Sequence, residues 1–305
     1  MSARHTLVDS DAFRWVTKRG PTRVIFRSEA FRRADIARRR LRAARALRSE
    51  SPFGEVATFC LFVGHNKSGT SLLGGLLDAN RRIVMADEID VLQYVDAGLQ
   101  RDEMFHILWR GAQTEARKGR VTARRLEPYS FRVPDQWQGR TQVPVVVGDS
   151  TSGSSTRRLG TDPGLLDRTR RVAGSAEVKL IQVIRNPFDP ISVMMVRGRR
   201  SFENSIEHYF RACCTLADLR RRVDPVHLLP VRYENFCADP QRHLAQVCRF
   251  LGVEPDESYL RGCAGIIHTE PDRSRTRVEW TPSLIAQVER RMAAFDFLDG
   301  YSYAS

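Results

Sequence analysis

The run TFCLFVGHNKSGTSLLGGLLDA, residues 58–79, decides the fold of this chain. Thr58 to Val63 is an uninterrupted apolar segment of strand length, Gly64 to Gly69 is a short polar turn, and Thr70 to Ala79 spaces its leucines as a helix does. A buried strand that passes through a tight turn into a helix leaves the first helical N–H groups without intrahelical partners, and the helix dipole favours an anion there. Asn66, Lys67, Ser68, Gly69, Thr70 and Ser71 occupy the turn and the first helical turn; the small residues let a phosphate come close, and Lys67 adds a mobile charge.

The order of residues in the turn narrows the chemistry. A nucleoside triphosphate cradle of the form GxxxxGK[ST] places its lysine after the second glycine, with a hydroxyl ligand for magnesium behind it. Here the lysine precedes the glycine, as KSGTS, so it is aimed differently, and a kinase with an atypical loop is the weaker enzyme reading. A second segment of similar design follows the apolar run VKLIQVI (178–184): in RNPFDPISVMMVRGRRS, Arg185 closes a strand, Pro187 suits an early helical position, and Ser192 lies about two helical turns beyond Arg185. Two anion sites at neighbouring strand ends imply a ligand phosphorylated at two positions.

Outward from these segments, the pattern predicts a basic helical leader to about Glu50, strands at 58–63, 83–85, 144–147, 178–184 and 227–231, and a mainly helical stretch from Val91 to Ala123. Residues 127–142 and the GDSTSGSS segment (148–155) read as loop. Further helices are expected after Asp162 and at about 188–197, 202–222, 240–251, 256–264 and 282–295. Strands separated by helices predict an α/β fold, a three-layer parallel sheet flanked by helices, with ligands at the carboxyl ends of the strands. The division expected is a basic extension over 1–52 and a catalytic domain over 53–305.

VGHNKSGTSLL resembles the 5′-phosphosulfate loop of the sulfotransferases that use 3′-phosphoadenosine 5′-phosphosulfate (PAPS), and VIRNPFDPISVMM resembles their 3′-phosphate motif. RYENF (232–236), read as a strand and turn, is similar to a further family feature in which a tyrosine, here Tyr233, packs near the adenine. ADPQRHLAQVCRFLGV (238–253) and SRTRVEW (274–280) resemble the later segments of bacterial-type members. The likeness runs from about Thr58 to the C-terminus and implies a P-loop-like sulfotransferase fold. Two departures stand out. Ser192 is seven residues after Arg185 where many relatives place a serine at eight, and Ser150 follows Gly148-Asp149 where relatives often carry a lysine.

The resemblance implies transfer of a sulfuryl group from PAPS to a hydroxyl, or less readily an amine, with no metal. Lys67 would stabilise the leaving phosphate, residues 68–71 would hold the 5′-phosphate, and Arg185 with Ser192 would hold the 3′-phosphate. Arg275 and Arg277 would close over the 3′-phosphate or meet an anionic acceptor. For the base, MADEIDVL (85–92) offers Asp87, Glu88 and Asp90; Glu88 is the best positional match, and a carboxylate in a partly desolvated cleft has its pKa raised. As caps of the following helix these acids have an equally ordinary role. His208, in SIEHYF, is the reserve base.

Composition bounds the rest. The 305 residues, 42% hydrophobic and 28% charged, suffice for one large core, and six cysteines without metal-ligand spacing read as buried thiols. A net charge of +13 suits anionic partners, but much of it lies in RRADIARRRLRAARALR (32–48), a basic amphipathic pattern that fits a solvated helix or membrane-surface contact. No nucleic-acid module is recognisable, so no nucleic-acid partner is expected. No apolar run approaches the roughly 20 residues that span a bilayer, and MSARHTLVDSDAFRW lacks the apolar core of a signal peptide, so a cytoplasmic protein is expected. The aromatics between Tyr94 and Trp137 fit a phenol, a sugar, a lipid-linked glycan or a peptide as acceptor.

Overall fold

A computed structural model describes residues 29–47, 51–121, 129–198 and 200–305. The chain divides into two units, 1–50 and 51–305. In the first, helix α1 (Glu29–Ala46) is stabilised along its own surface by ion pairs at helical spacing: Glu29 with Arg33, and Asp35 with Arg38 at 2.7 Å and Arg39 at 2.8 Å. The rest of the predicted basic leader lies outside the described residues.

The second unit is built on five parallel strands, β1 (Thr58–Gly64), β2 (Ile83–Ala86), β3 (Val146–Asp149), β4 (Glu177–Ile184) and β5 (Leu228–Arg232), in the order β2-β3-β1-β4-β5. β1 is central, and all seven of its residues are buried, which is why it reads as a continuous apolar run rather than an alternating one. Register places Gly64 beside Val183 and Leu61 beside Asp149, so the ends of β1, β3 and β4 share one edge of the sheet. The chain leaves β1 toward β2 and leaves β4 toward β5, in opposite directions, which opens a crevice between their carboxyl ends.

The helices are α2 (Thr70–Leu77), α3 (Leu92–Asp96), α4 (Arg101–Arg117), α5 (Ser152–Thr161), α6 (Leu165–Ala173), α7 (Phe188–Gly198), α8 (Phe202–Arg222), α9 (Tyr233–Ala238), α10 (Pro240–Phe250), α11 (Glu257–Ala264) and α12 (Pro282–Met292). Cys60 and Phe62 of β1 join leucines of α2 and apolar residues of α10 and α11 in one core, while Phe59 meets the ring of Phe105 on α4 at 5.4 Å. Alternate residues of one strand thus serve the two faces of the sheet.

Four expectations change. The single helical stretch from 91 breaks into α3 and α4, because Gly98 takes a φ of +72° and Gln100 starts a new helix with a capping box to Glu103. The GDSTSGSS segment is not a loop beyond residue 151: it forms α5, whose weak helical propensity is overridden by burial of Ser152, Ser155 and Thr156. RYENF is helical from Tyr233 onward. The third strand also starts two residues later than expected, after Pro144, which has no N–H to donate. All six cysteines are free thiols; five are buried and Cys214 is exposed. Among the described residues no helix is long and apolar enough to cross a membrane.

A buried ion pair ties α2 to β2. Asp78 accepts from Arg120 Nη2 at 2.5 Å, from the Met85 amide at 2.9 Å and from the Gly139 amide at 3.0 Å, and Arg120 donates to the Met85 carbonyl at 3.1 Å. Asp78 is bonded at both oxygens while Arg120 Nε is buried without a partner, and the pair fixes where β2 ends and the acidic MADEIDVL turn begins.

Candidate anion-binding and transfer site

The turn after β1 is held from behind and left open in front. Gly64 has a φ of +134°, and a Cβ on it would lie 2.8 Å from the Val183 carbonyl oxygen, so only glycine lets β1 approach β4 this closely here. Its amide donates to Thr156 Oγ1 at 2.8 Å, and that hydroxyl donates back to the Gly64 carbonyl at 3.1 Å. The His65 ring stacks on Tyr209, with centroids 3.7 Å apart, and its Nε2 donates to the Tyr209 carbonyl at 2.9 Å. Burial pulls the His65 pKa down to about 4, so the ring is neutral at physiological pH. The Asn66 side chain lies against Gly153 of α5.

Beyond Asn66 the backbone turns through two left-handed residues, Lys67 at φ +73° and Gly69 at φ +95°. For lysine that conformation is strained, and strain of this kind gathers at binding sites. Gly69 gives α2 no side-chain cap. Ser68 is 1% exposed, yet its hydroxyl has no hydrogen-bond partner. A buried, unpartnered hydroxyl beside an uncapped helix start and a lysine is the donor set an anionic group requires, so the residues fit a phosphate.

Arg185 closes the far side of the crevice. It is buried, donates from Nη1 to the Lys67 carbonyl at 3.1 Å and from Nη2 to the Asp272 carbonyl, and lies 3.7 Å from Asp189. Its guanidinium also sits 5.0 Å from the centre of the Tyr233 ring, and Gly69 lies against Cδ2 and Cε2 of the same ring, where a Cβ would come within 2.2 Å. The two turns and the tyrosine therefore form one continuous unit.

The remaining predicted anion ligands divide. Arg275 is buried, with Nη1 at 3.1 Å from Asp189, its amide donating to the same carboxylate at 3.0 Å, and Nη2 on the Ser305 carbonyl. Arg277 is exposed and paired with Asp272 at 2.6 Å. The expected role of Ser192 as a phosphate ligand does not fit its surroundings. Its hydroxyl is fully buried, donates to the Phe188 carbonyl at 2.7 Å and accepts from Trp280 Nε1 at 3.0 Å. A helical position seven residues after Arg185 faces the interior here, and Ser192 anchors Trp280.

The three acids after β2 have three different environments. Asp87 is half-buried and accepts from Ser150 Oγ at 2.8 Å and Ser71 Oγ at 3.4 Å; burial pushes its carboxyl pKa up. Asp90 is bound at both oxygens by Arg158, at 2.8 and 2.9 Å. Glu88 alone is exposed, and among the described residues its carboxylate makes no hydrogen bond or ion pair. The desolvated acid is thus Asp87 rather than Glu88. His208 is exposed on α8; the desolvation it feels and the charges of Arg200 and Arg211 lower its pKa. Ser150, in the place of the family lysine, brings no charge and instead bonds Asp87 and the Ala86 carbonyl.

Sequence reasoning missed Glu234, which accepts from the Asn186 amide at 2.9 Å and the Tyr301 hydroxyl at 2.6 Å, and Asp189, which sits between two arginines. The only available signal was the recurrence of acids beside arginines in RNPFDP and RYENF. A cleft of about 460 Å³, lined by Arg170, Glu177, Arg222 and His227 among others, opens at the amino end of β4, away from these turns.

A family model described as "Sulfotransferase family" matches residues 61–257. No curated protein sequence matches the chain. Among solved structures, sulfotransferase STF9 from Mycobacterium avium aligns with a TM-score of 0.50 at 10% identity, over 87% of this chain and 82% of that one. The sulfotransferase from Alicyclobacillus acidocaldarius aligns at 19% identity with a TM-score of 0.45, over 80% and 96% of the two chains. Mouse sulfotransferase SULT7A1, solved with PAP, aligns at 14% identity with a TM-score of 0.43, over 82% and 90%. At such identities the likeness to STF9 speaks to the fold alone.

Proposed function

Because the chain belongs to the sulfotransferase family, we propose that it moves a sulfuryl group from PAPS to a hydroxyl of its acceptor by in-line displacement. The observation that carries this reading is the contact between the two anion-binding turns, Arg185 Nη1 on the Lys67 carbonyl at 3.1 Å. One ligand with phosphates at two positions spans both turns at once.

In this reading the donor, when bound, supplies the activated sulfuryl group. Ser68 donates its unpartnered hydroxyl to the 5′-phosphate together with the amides of residues 69–71, and Lys67 neutralises charge as it builds on the leaving oxygen. Arg185 holds the 3′-phosphate and Tyr233 offers an apolar face to the base. Glu88 takes the acceptor proton onto a carboxylate oxygen. The environments of the three acids support that role: Asp87 and Asp90 are engaged within the protein, and Glu88 faces outward. Asp87, bonded to Ser71 on the first turn of α2, links the acid turn to the phosphate loop. His208, exposed on α8, is the reserve base.

The test is isothermal titration with 3′-phosphoadenosine 5′-phosphate on the folded protein. Micromolar binding is expected; none at high micromolar concentration sinks the reading. Arg185→Ala removes charge-assisted hydrogen bonds of roughly 1.5–3 kcal/mol, so binding weakens about 10- to 150-fold. Lys67→Ala lowers kcat by about 10²- to 10³-fold with a smaller effect on binding.

A further inference from the structure

The acidic turn between β2 and α3 is conformationally costly. Glu88 and Asp90 both lie in the left-handed region, at φ +54° and +57°, with Ile89 between them. Neither is a glycine, so the surroundings must impose the conformation.

Ser71 and Gln93 bond the turn at Asp87 and the Ile89 carbonyl, and the contacts on Asp90 and at the two ends of the turn come from one segment, residues 149–158. The Ser150 amide donates to the Ala86 carbonyl at 2.9 Å, where the turn begins. The Asp90 amide donates to Thr151 Oγ1 at 3.3 Å, and the Val91 amide donates to the buried Asp149 carboxylate at 2.7 Å, where the turn ends. Arg158 then grips the Asp90 carboxylate with two nearly parallel bonds, from Nε at 2.8 Å and Nη2 at 2.9 Å. A bidentate arginine fixes the orientation of a carboxylate as well as its position.

The same segment registers the phosphate loop. Thr156 bonds Gly64, Ser152 Oγ donates to the His65 carbonyl at 3.3 Å, and Gly153 packs on Asn66. Helix α5 therefore touches the phosphate loop with Ser152, Gly153 and Thr156 and the acid turn with Arg158. We propose that Arg158 is a positioning residue: by clamping Asp90 it holds the turn in its left-handed form, so that α5 sets Glu88 at a fixed place relative to Lys67. This inference rests on the assignment of Glu88 as base.

Two measurements test it. Hydrogen exchange of the peptide covering residues 86–92 is expected to accelerate at least tenfold in Arg158→Gln and in Asp90→Asn, while the 62–70 peptide exchanges as in the wild type. Asparagine tolerates the left-handed conformation, so Asp90→Asn removes the clamp without adding backbone strain and guards against a misfolded Arg158→Gln. Affinity for 3′-phosphoadenosine 5′-phosphate stays within twofold in both variants. With PAPS and 2-naphthol as the probe acceptor, Arg158→Gln is expected to lower kcat at least tenfold at unchanged KM for PAPS, and Arg158→Lys to restore part of it. In a Glu88→Gln background Arg158→Gln should add less than a twofold loss. Unchanged exchange over 86–92 overturns the clamp. An equal loss from Arg158→Gln with or without Glu88 overturns its action through that residue. Full activity in Glu88→Gln instead overturns the base assignment, an outcome distinct from failure of the exchange result.

Discussion

Gly69→Ala is the sharpest single test of how the site is assembled. An alanine Cβ at this position would lie 2.2 Å from Cδ2 and 2.3 Å from Cε2 of Tyr233, where ordinary contact begins at 3.4 Å, so the ring must withdraw by more than 1 Å. The backbone adds a second cost, because φ +95° is open to glycine and strained for alanine by at least about 1–2 kcal/mol. Overpacking adds roughly 1–3 kcal/mol, which makes a total loss of about 2–5 kcal/mol. The displaced ring also leaves the guanidinium of Arg185, now 5.0 Å from its centre, and disturbs the arginine that bonds the Lys67 carbonyl. Urea unfolding reads the stability, and titration with 3′-phosphoadenosine 5′-phosphate, expected to weaken at least tenfold, reads the site. Gly54→Ala is the control, since nothing lies within 4 Å of a Cβ there, and it should be close to neutral. If Gly69→Ala matches that control in both assays, the contacts of Tyr233 with Gly69 and Arg185 do not organise the proposed donor site.

Other outcomes follow from single contacts. Ser192→Ala leaves the buried Trp280 Nε1 without its acceptor and should cost about 1–3 kcal/mol in unfolding, with nucleotide affinity within twofold of wild type; a loss confined to affinity would return Ser192 to the phosphate site. Burial pushes the Asp149 carboxyl from 3.8 up to about 7, against the pull of donors from Thr151 and Val91. The folded chain holds this proton more tightly than the unfolded chain, so the stabilisation is complete below about pH 4 and is lost as pH rises through about 7. The stability difference between wild type and Asp149→Asn should therefore shift in favour of the variant over that range. Comparing the two proteins cancels His65, whose lowered pKa acts in the opposite sense. Removing residues 1–50, which include the arginine-rich α1, should abolish co-sedimentation with phosphatidylserine vesicles at low salt; unchanged sedimentation rules out the extension as the membrane contact.

Much of the site was legible because its parts are local. A strand, a short turn and a helix start occupy consecutive positions in 58–79, and the same holds for 178–198, so periodicity and turn chemistry suffice to place Lys67 and Arg185 at strand ends. The burial of Ser192 was not legible because spacing along a helix gives angular position but not which face turns inward; its partner Trp280 lies far along the chain. Helix α5 was missed because Ser, Thr and Gly disfavour helices in isolation, and only packing on β1 and α8 reverses the preference.

By itself the sequence determined the alternation of strands and helices, the two strand-to-helix turns and the identity of the basic groups in them, since all of these depend on neighbours within a helical turn or a strand. Only the tertiary structure decided that Arg185 bonds the Lys67 carbonyl, that the Tyr233 ring meets both Arg185 and Gly69, and that Asp87 and Asp90 are engaged while Glu88 is exposed. Those relations join residues separated by tens to more than a hundred positions. Their energies arise from desolvation and close contact, which exist only once the sheet has brought the strand ends together.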